Sequence, residues 1–223
     1  MLTEAFPTLI IGFSLGLMHA LDADHVMAVS VLSAQKCGFK RTLLHCANWA
    51  LGHSGVLMVT GVLLFGLGVA LPESIQHLAE MGVGLLLVVL GGLFIMQIRK
   101  NKLQLVTHRH GDVAHTHWQD GNDAHDKSDL HKPVFVGILH GLAGSAPALA
   151  LIPAVASGQL YYAIFYLLLF SVGVMLSMLV FGLSFAHLQK FLNQRYQQAF
   201  QISRYLLALA SIGLGGFWFF SAL

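Results

Sequence analysis

The chain has 223 residues, enough for one or two soluble domains by length alone, yet 56% of them are hydrophobic and only 10% are charged. Soluble proteins carry about 25% charged residues, and so few charges could not cover the surface of a 24.2 kDa globule with a mean hydropathy of +0.71. The apolar content excludes a disordered chain, two cysteines (Cys37 and Cys46) exclude a disulfide-stapled scaffold, and a formal net charge of +2 excludes little. The sequence reads as an integral membrane protein.

Crossing the hydrocarbon as a helix takes about 20 mostly apolar residues. Six such stretches follow one another, at 7–35, 42–71, 78–98, 133–157, 160–186 and 204–222. The expected fold is all-α and polytopic: a three-helix unit over 1–98, a polar connection over 99–132, and a second three-helix unit over 133–223. No short basic-then-apolar leader with a cleavage site is read ahead of the first span. Every Lys and Arg falls in one of three places. Lys36, Lys40 and Arg41 follow the first span; Arg99, Lys100, Lys102, Arg109, Lys127 and Lys132 lie in the third connection; Lys190, Arg195 and Arg204 lie in the fifth. Cytoplasmic segments are enriched in these residues, so the three basic connections are expected inside a cytoplasmic membrane and both termini outside.

The two halves resemble each other. Gly16-Leu17-Met18-His19-Ala20-Leu21 matches Gly137-Ile138-Leu139-His140-Gly141-Leu142, Ser54-Gly55-Val56-Leu57-Met58 resembles Val172-Gly173-Val174-Met175-Leu176, and Leu90-Gly91-Gly92 matches Leu214-Gly215-Gly216. The order is kept, and His19 to Gly91 spans 72 residues where His140 to Gly215 spans 75. An odd number of helices per unit makes the second copy enter from the opposite side. Such inverted repeats build transporters, with the site near the bilayer midplane and one repeat rocking against the other.

The first span carries His19-Ala20-Leu21-Asp22-Ala23-Asp24-His25. An Asp at mid-membrane costs about 2.5–3.5 kcal/mol on the insertion scale, so something must offset the pair. Read as a continuous helix, His19, Asp22 and His25 recur every three positions within an arc of about 120°, while Asp24 points elsewhere and could orient a histidine through its other ring nitrogen. The second span adds His45, Asn48, Trp49 and His53, with Gly52 leaving room for a close neighbour. His25 and His53 each stand 11 residues from the connection between their spans, about 16 Å in helical rise and so at matching depth. Imidazole with carboxylate suits Ni²⁺, Co²⁺, Zn²⁺ or Fe²⁺, while few oxygens and no thiolate disfavour Ca²⁺ and Cu⁺. A polar cluster that merely ties helices together is the simpler alternative, but two carboxylates make poor glue where Ser or Asn would serve.

Weaker signals surround this motif. His140-Gly141-Leu142-Ala143-Gly144-Ser145-Ala146-Pro147 reads either as an unwound stretch along a metal path, bringing in His140 and Ser145, or as a Gly/Ala packing seam. The 99–132 connection, with His108, His110, His115 and His117, shows no hydrophobic period and is expected to be mostly disordered; it reads as a metal-capturing segment or as a solvated linker. Gly12-Phe13-Ser14-Leu15-Gly16 imitates a hydrolase nucleophile elbow, but no strand precedes it. The same histidines could instead serve a membrane metalloenzyme or a bis-histidine haem, His25 facing His53.

The string His19 to His25 resembles the His-x4-Asp-His signature of the nickel/cobalt transporter (NiCoT) superfamily. Leu51-Gly52-His53-Ser54 is similar to that family's second helix motif, and His140 to Ala146 to the corresponding stretch of its UreH-like branch. The resemblance implies a permease for Ni²⁺ or Co²⁺, with His19, Asp24 and His25 as core metal residues joined by His53, and no permanently bound cofactor. By analogy such a protein supplies nickel to urease. The family's acidic motif in the second half is absent, Ala143 and Ser145 standing where the repeat aligns Asp22 and Asp24. The exporter branch carries Pro-Gly-His wording instead, so import is expected over efflux. The expected partners are a divalent transition-metal ion and the lipid bilayer, with no nucleic acid; a homo-oligomer and hand-off to cytoplasmic nickel chaperones stay open.

Overall fold

The computed structural model describes residues 2–34, 39–67, 72–100, 104–110, 113–119, 131–143 and 160–223. These form α1 (Leu2–His19), α2 (Ala23–Ala34), α3 (Phe39–Leu67), α4 (Glu73–Lys100), β1 (Gln104–His110), β2 (Val113–Gln119), α5 (His131–Leu142), α6 (Leu160–Arg195) and α7 (Gln197–Ser221). Among the described residues four helices, α3, α4, α6 and α7, are long and apolar enough to cross a membrane. A fifth crossing results if α1 and α2, bent by 55° at a short break, are taken as one span. The stretch expected at 133–157 is described only as far as Ala143, where the apolar helix α5 ends.

Large apolar side chains face outward on every long helix: Leu51 and Val59 on α3, Leu85 and Leu93 on α4, Leu168 and Leu176 on α6, Leu206 and Leu209 on α7. Water would penalise such a surface; hydrocarbon accepts it. Inside lie Trp49, Leu57, Leu87, Phe94, Tyr166, Phe170 and Met178.

Small residues set the helix pairs. Lipid offers little hydrophobic drive between helices, so close backbone approach matters most. α1 packs along α6, α3 along α5, and α4 along α7. A Cβ on Gly16 would collide with the Phe170 carbonyl oxygen, and one on Gly137 with that of Trp49. In return, a Cβ on Gly173 would collide with the Phe13 carbonyl oxygen and one on Gly52 with that of Val134. Gly84 and Gly215 abut in the α4–α7 seam, where the Ser211 hydroxyl also donates to the Leu87 carbonyl at 2.8 Å.

Three expectations are corrected. The first span is not one helix over 7–35 but two, parted at Ala20–Asp22. The interval between 186 and 204 is helical: α6 runs to Arg195, and α7 begins at Gln197 after a single non-helical residue, Tyr196. Arg204 accordingly lies in α7, 4% exposed, its guanidinium 5.2 Å from the Phe94 ring and 5.5 Å from that of Phe200. Finally, 104–119 is not structureless, since β1 and β2 pair as an antiparallel ribbon from Gln104↔Gln119 to His110↔Val113. The residues are consistent with it: Val106, Thr107, Val113, Thr116 and Trp118 favour extended chain, and in the sequence Gly111-Asp112 between them is a two-residue hairpin signal.

Candidate metal centre

The break between α1 and α2 builds the site. The Ala20 amide still donates four residues back, to Gly16 at 3.2 Å. Leu21 and Asp22 then donate three residues back, to Met18 and His19 at 2.9 and 3.0 Å, before Val26 donates to Asp22 and starts α2. The tightened turn swings the chain and stops α1 at His19. In a continuous helix His19 and His25 would be separated by about 9 Å of rise; here their ring centroids are 4.6 Å apart. The C-terminal carbonyl end of α1, which carries partial negative charge, meets the break, and Asp24 occupies the first turn of α2, whose N-terminus favours an anion.

His53 on α3 completes a triad. One ring nitrogen from each of His19, His25 and His53 lies within 4.8 Å of the others, and all three side chains are buried. The His53 ring centroid is 5.3 Å from that of His19 and 5.1 Å from that of His25. Trp49, one turn earlier, stacks on His53 at 5.1 Å and 10° and meets His25 edge-on at 4.9 Å, which holds both rings in place.

The carboxylates act on the far side of the rings. Asp24 Oδ1 is 2.8 Å from His25 Nδ1, and Asp22 Oδ2 is 2.7 Å from His19 Nδ1. An ionised carboxylate only accepts, so each Nδ1 carries the proton and each Nε2 keeps its lone pair. Those two Nε2 atoms are buried without a hydrogen-bond partner, and so are both ring nitrogens of His53. Buried lone pairs with no donor are what a metal-binding cluster offers, and carboxylate–histidine pairs of this kind fix ligand orientation in metal sites. Asp24 is buried with His25, whereas Asp22 has 46% of its side chain exposed. With His25 these two carboxylates form a second close group of donors leading out of the triad.

His140 joins the cluster from α5, its ring centroid 5.3 Å from His25 and its Nδ1 2.8 Å from the Val136 carbonyl oxygen. His45 and Asn48 are half-buried on α3, about 12 and about 7 Å of helical rise before His53. Ser145 lies outside the described residues. His108, His110, His115 and His117 are on the ribbon, where the ladder sets His108 opposite His115 and Val106 opposite His117. Removing the Asp24 carboxylate (Asp24→Ala) is expected to weaken Ni²⁺ binding by the purified protein about 10–100-fold, because the His25 ring loses its orienting partner. Equilibrium dialysis measures this, and unchanged affinity would detach Asp24 from the site.

Residues 11–213 match the family model described as the cytochrome c biogenesis protein transmembrane region. The urease accessory protein UreH of Bacillus sp. (strain TB-90) is 32% identical over 174 residues, covering 78% of this chain and 73% of that protein. The chain belongs to the UreH-like nickel/cobalt transporter family, and to the transmembrane-region family of that model. A protein of Methanocaldococcus jannaschii named as a nickel/cobalt efflux system is 27% identical over 91% of this UreH-like chain and 86% of its own length. The high-affinity nickel transport protein of Cupriavidus necator is 32% identical over 76 residues, which is 34% of this chain and 22% of that protein. No solved structure matches. These relatives are transporters or accessory proteins, and the UreH-like chain is a multi-pass membrane protein of a nickel/cobalt transport family. Cys46 is the one cysteine among its described residues, so the donor cluster there is imidazole and carboxylate, not thiol.

Proposed function

We propose that the chain is a secondary permease carrying Ni²⁺, or Co²⁺, inward across the cytoplasmic membrane, with the ion bound among His19, His25 and His53. The observation that carries this reading is the buried imidazole triad at a break in a membrane helix. Discontinuous helices whose ends face a polar site are a transporter device. Asp22, exposed, and Asp24, buried, supply the negative charge that draws a dication towards the triad and balances it. His45 and Asn48 extend the polar face of α3 along the path, and the histidines of the ribbon capture metal on the cytoplasmic side. Membrane potential contributes about 2.3 kcal/mol per charge per 100 mV, thus about 4.6 kcal/mol for a dication entering a negative interior. The relative named for urease supports the further reading that the imported nickel serves that enzyme.

Six spans arranged as two inverted repeats belong to the same proposal. The glycine contacts support it: Gly16 and Gly137 are 121 positions apart, as are Gly52 and Gly173, and each pair makes the same contact with its neighbour helix. On this spacing Gly173 corresponds to Gly52 rather than to Gly55. The haem alternative finds no support in the packing. A macrocycle would have to part His25 and His53, whose ring centroids stand 5.1 Å apart among Trp49, His19 and His140.

Direction is tested in cells that express the chain from an inducible promoter and are grown with Ni²⁺, Co²⁺ or Zn²⁺. Induction is expected to raise cell-associated nickel. A fall in nickel, with greater tolerance of the metal, would make the chain an exporter and overturn the inward reading.

A further inference from the structure

We infer that His140 supplies a fourth imidazole to the transported ion, so that the seated cation is bound by nitrogen from both halves of the chain, with Asp22 and Asp24 behind the rings and not on the metal. The inference deepens the proposed function and rests on it, since the cluster must carry a divalent cation.

The state of the His140 ring comes first. Its Nδ1 lies 2.8 Å from the Val136 carbonyl oxygen, and a carbonyl can only accept, so Nδ1 carries the proton. In the neutral ring Nε2 then presents a lone pair. That atom is buried without a hydrogen-bond partner on a side chain 1% exposed. His19 and His25 are in the same state for the same reason, a carboxylate taking the place of the carbonyl. The rings of His19, His53 and His140 all lie within 5.3 Å of that of His25, and every one has an unpartnered nitrogen. Four buried imidazoles that each leave a ring nitrogen unpartnered are costly when empty; His19, His25 and His53 already converge within 4.8 Å, and His140, beside His25, closes on the same cation.

Position gives an independent argument. His140 lies 121 residues after His19, the spacing that relates Gly137 to Gly16 and Phe170 to Trp49. The contacts follow the same spacing, for the His19 ring is 5.5 Å from Phe170 and the His140 ring 5.8 Å from Trp49. His140 therefore occupies in the second half the place that His19 occupies in the first. Its reach depends on a close α3–α5 contact, where a Cβ on Gly141 would stand 2.8 Å from the His53 carbonyl oxygen. An apolar side chain would serve a purely structural purpose at that point. Borderline divalent ions accept an all-imidazole set, whereas Mg²⁺ and Ca²⁺ require oxygen, so the arrangement also selects against the abundant hard cations.

The test uses the full chain purified in detergent and loaded with Ni²⁺. X-ray absorption of the wild-type protein should report four imidazoles and no carboxylate oxygen on the metal, a result independent of any variant's folding. In His140→Ala the imidazole count should fall by one and Ni²⁺ affinity should drop at least about tenfold, while His187→Ala, at an exposed position on α6, should bind as wild type does. Three imidazoles in the wild type, or a His140→Ala protein with an unchanged spectrum and affinity, would overturn the role of His140. A carboxylate on the wild-type metal would overturn the placing of Asp22 and Asp24. Wild-type protein that binds no Ni²⁺, Co²⁺ or Zn²⁺ would instead remove the proposed function, and this inference with it.

Discussion

Replacing His25 with alanine is expected to reduce uptake of radiolabelled nickel to the level of cells lacking the chain, a loss of at least about 100-fold. His25 is the hub of the cluster. Its ring lies 4.6 Å from His19, 4.9 Å from Trp49, 5.1 Å from His53 and 5.3 Å from His140. The substitution removes one ligand nitrogen and also strips the buried Asp24 carboxylate of its hydrogen-bonded partner. Leaving a buried carboxylate without its hydrogen-bond donor costs about 1–3 kcal/mol, and more for a charged group, because it stays desolvated. Uptake must therefore be compared at equal amounts of protein in the membrane. His77→Ala is the control, since that side chain is 64% exposed and its nearest acidic partner, Glu80, is 3.7 Å away. Wild-type uptake by the His25→Ala protein would remove the residue from the transport site.

Gly137→Ala is expected to be, with Gly16→Ala, among the most damaging of the single-methyl additions. The new Cβ would collide with the Trp49 carbonyl oxygen and stand 2.9 Å from its carbonyl carbon and 3.0 Å from the His53 nitrogen. All three are backbone atoms of α3, and no rotamer change moves them aside. Overpacking costs about 1–3 kcal/mol and sometimes more; two helix backbones forced apart belong at the upper end. For a chain of this size about 3 kcal/mol lowers the midpoint of thermal unfolding by roughly 6–12 °C. Metal binding should fall as well, because α3 carries His53 and α5 carries His140. Gly92→Ala is the matched control: its Cβ meets nothing within 4 Å, and alanine is the better helix former by about 1 kcal/mol. Equal unfolding temperatures for the two variants would show that the α3–α5 seam is looser than its geometry implies.

Much of the architecture could be read from residue pattern, because lipid sets a simple demand. Long apolar runs gave α3, α4, α6 and α7, and the His19–His25 string pointed to the cluster before any distance was known. What escaped was whatever hydropathy does not encode. Hydropathy marks where lipid ends, not where a helix ends, so the polar continuation Gln189-Lys190 to Arg195 reads as a connection although nothing there breaks a helix. The break at Ala20–Asp22 lies between two apolar runs, Ile10–Met18 and Val26–Leu32, that read together as one span. Its one mark in the sequence is Asp22, a residue favoured at a helix start as well as a candidate ligand. The difference is consequential, since a straight helix would keep His19 and His25 apart. His140 was legible as a matched position but not as a neighbour of His25, because only the packing of α5 against α3 brings it there. The ribbon was overlooked because its histidine-rich composition outweighed the turn signal at Gly111-Asp112.

The glycine seams also constrain how a passage to His25 can open. Gly16 against Gly173, Gly137 against Gly52, and Gly84 against Gly215 each join a helix before the polar connection to one after it. Parting residues 1–98 from 133–223 as two blocks would unzip all three and bare peptide groups now shielded by each other. α3 also packs along α6, with Gly61 against Leu167 and Gly182 against Cys46, so the close seams join helices of one half to helices of the other. The two ends of the polypeptide are interleaved in the packing, and the division visible along the sequence is not a division of the folded molecule.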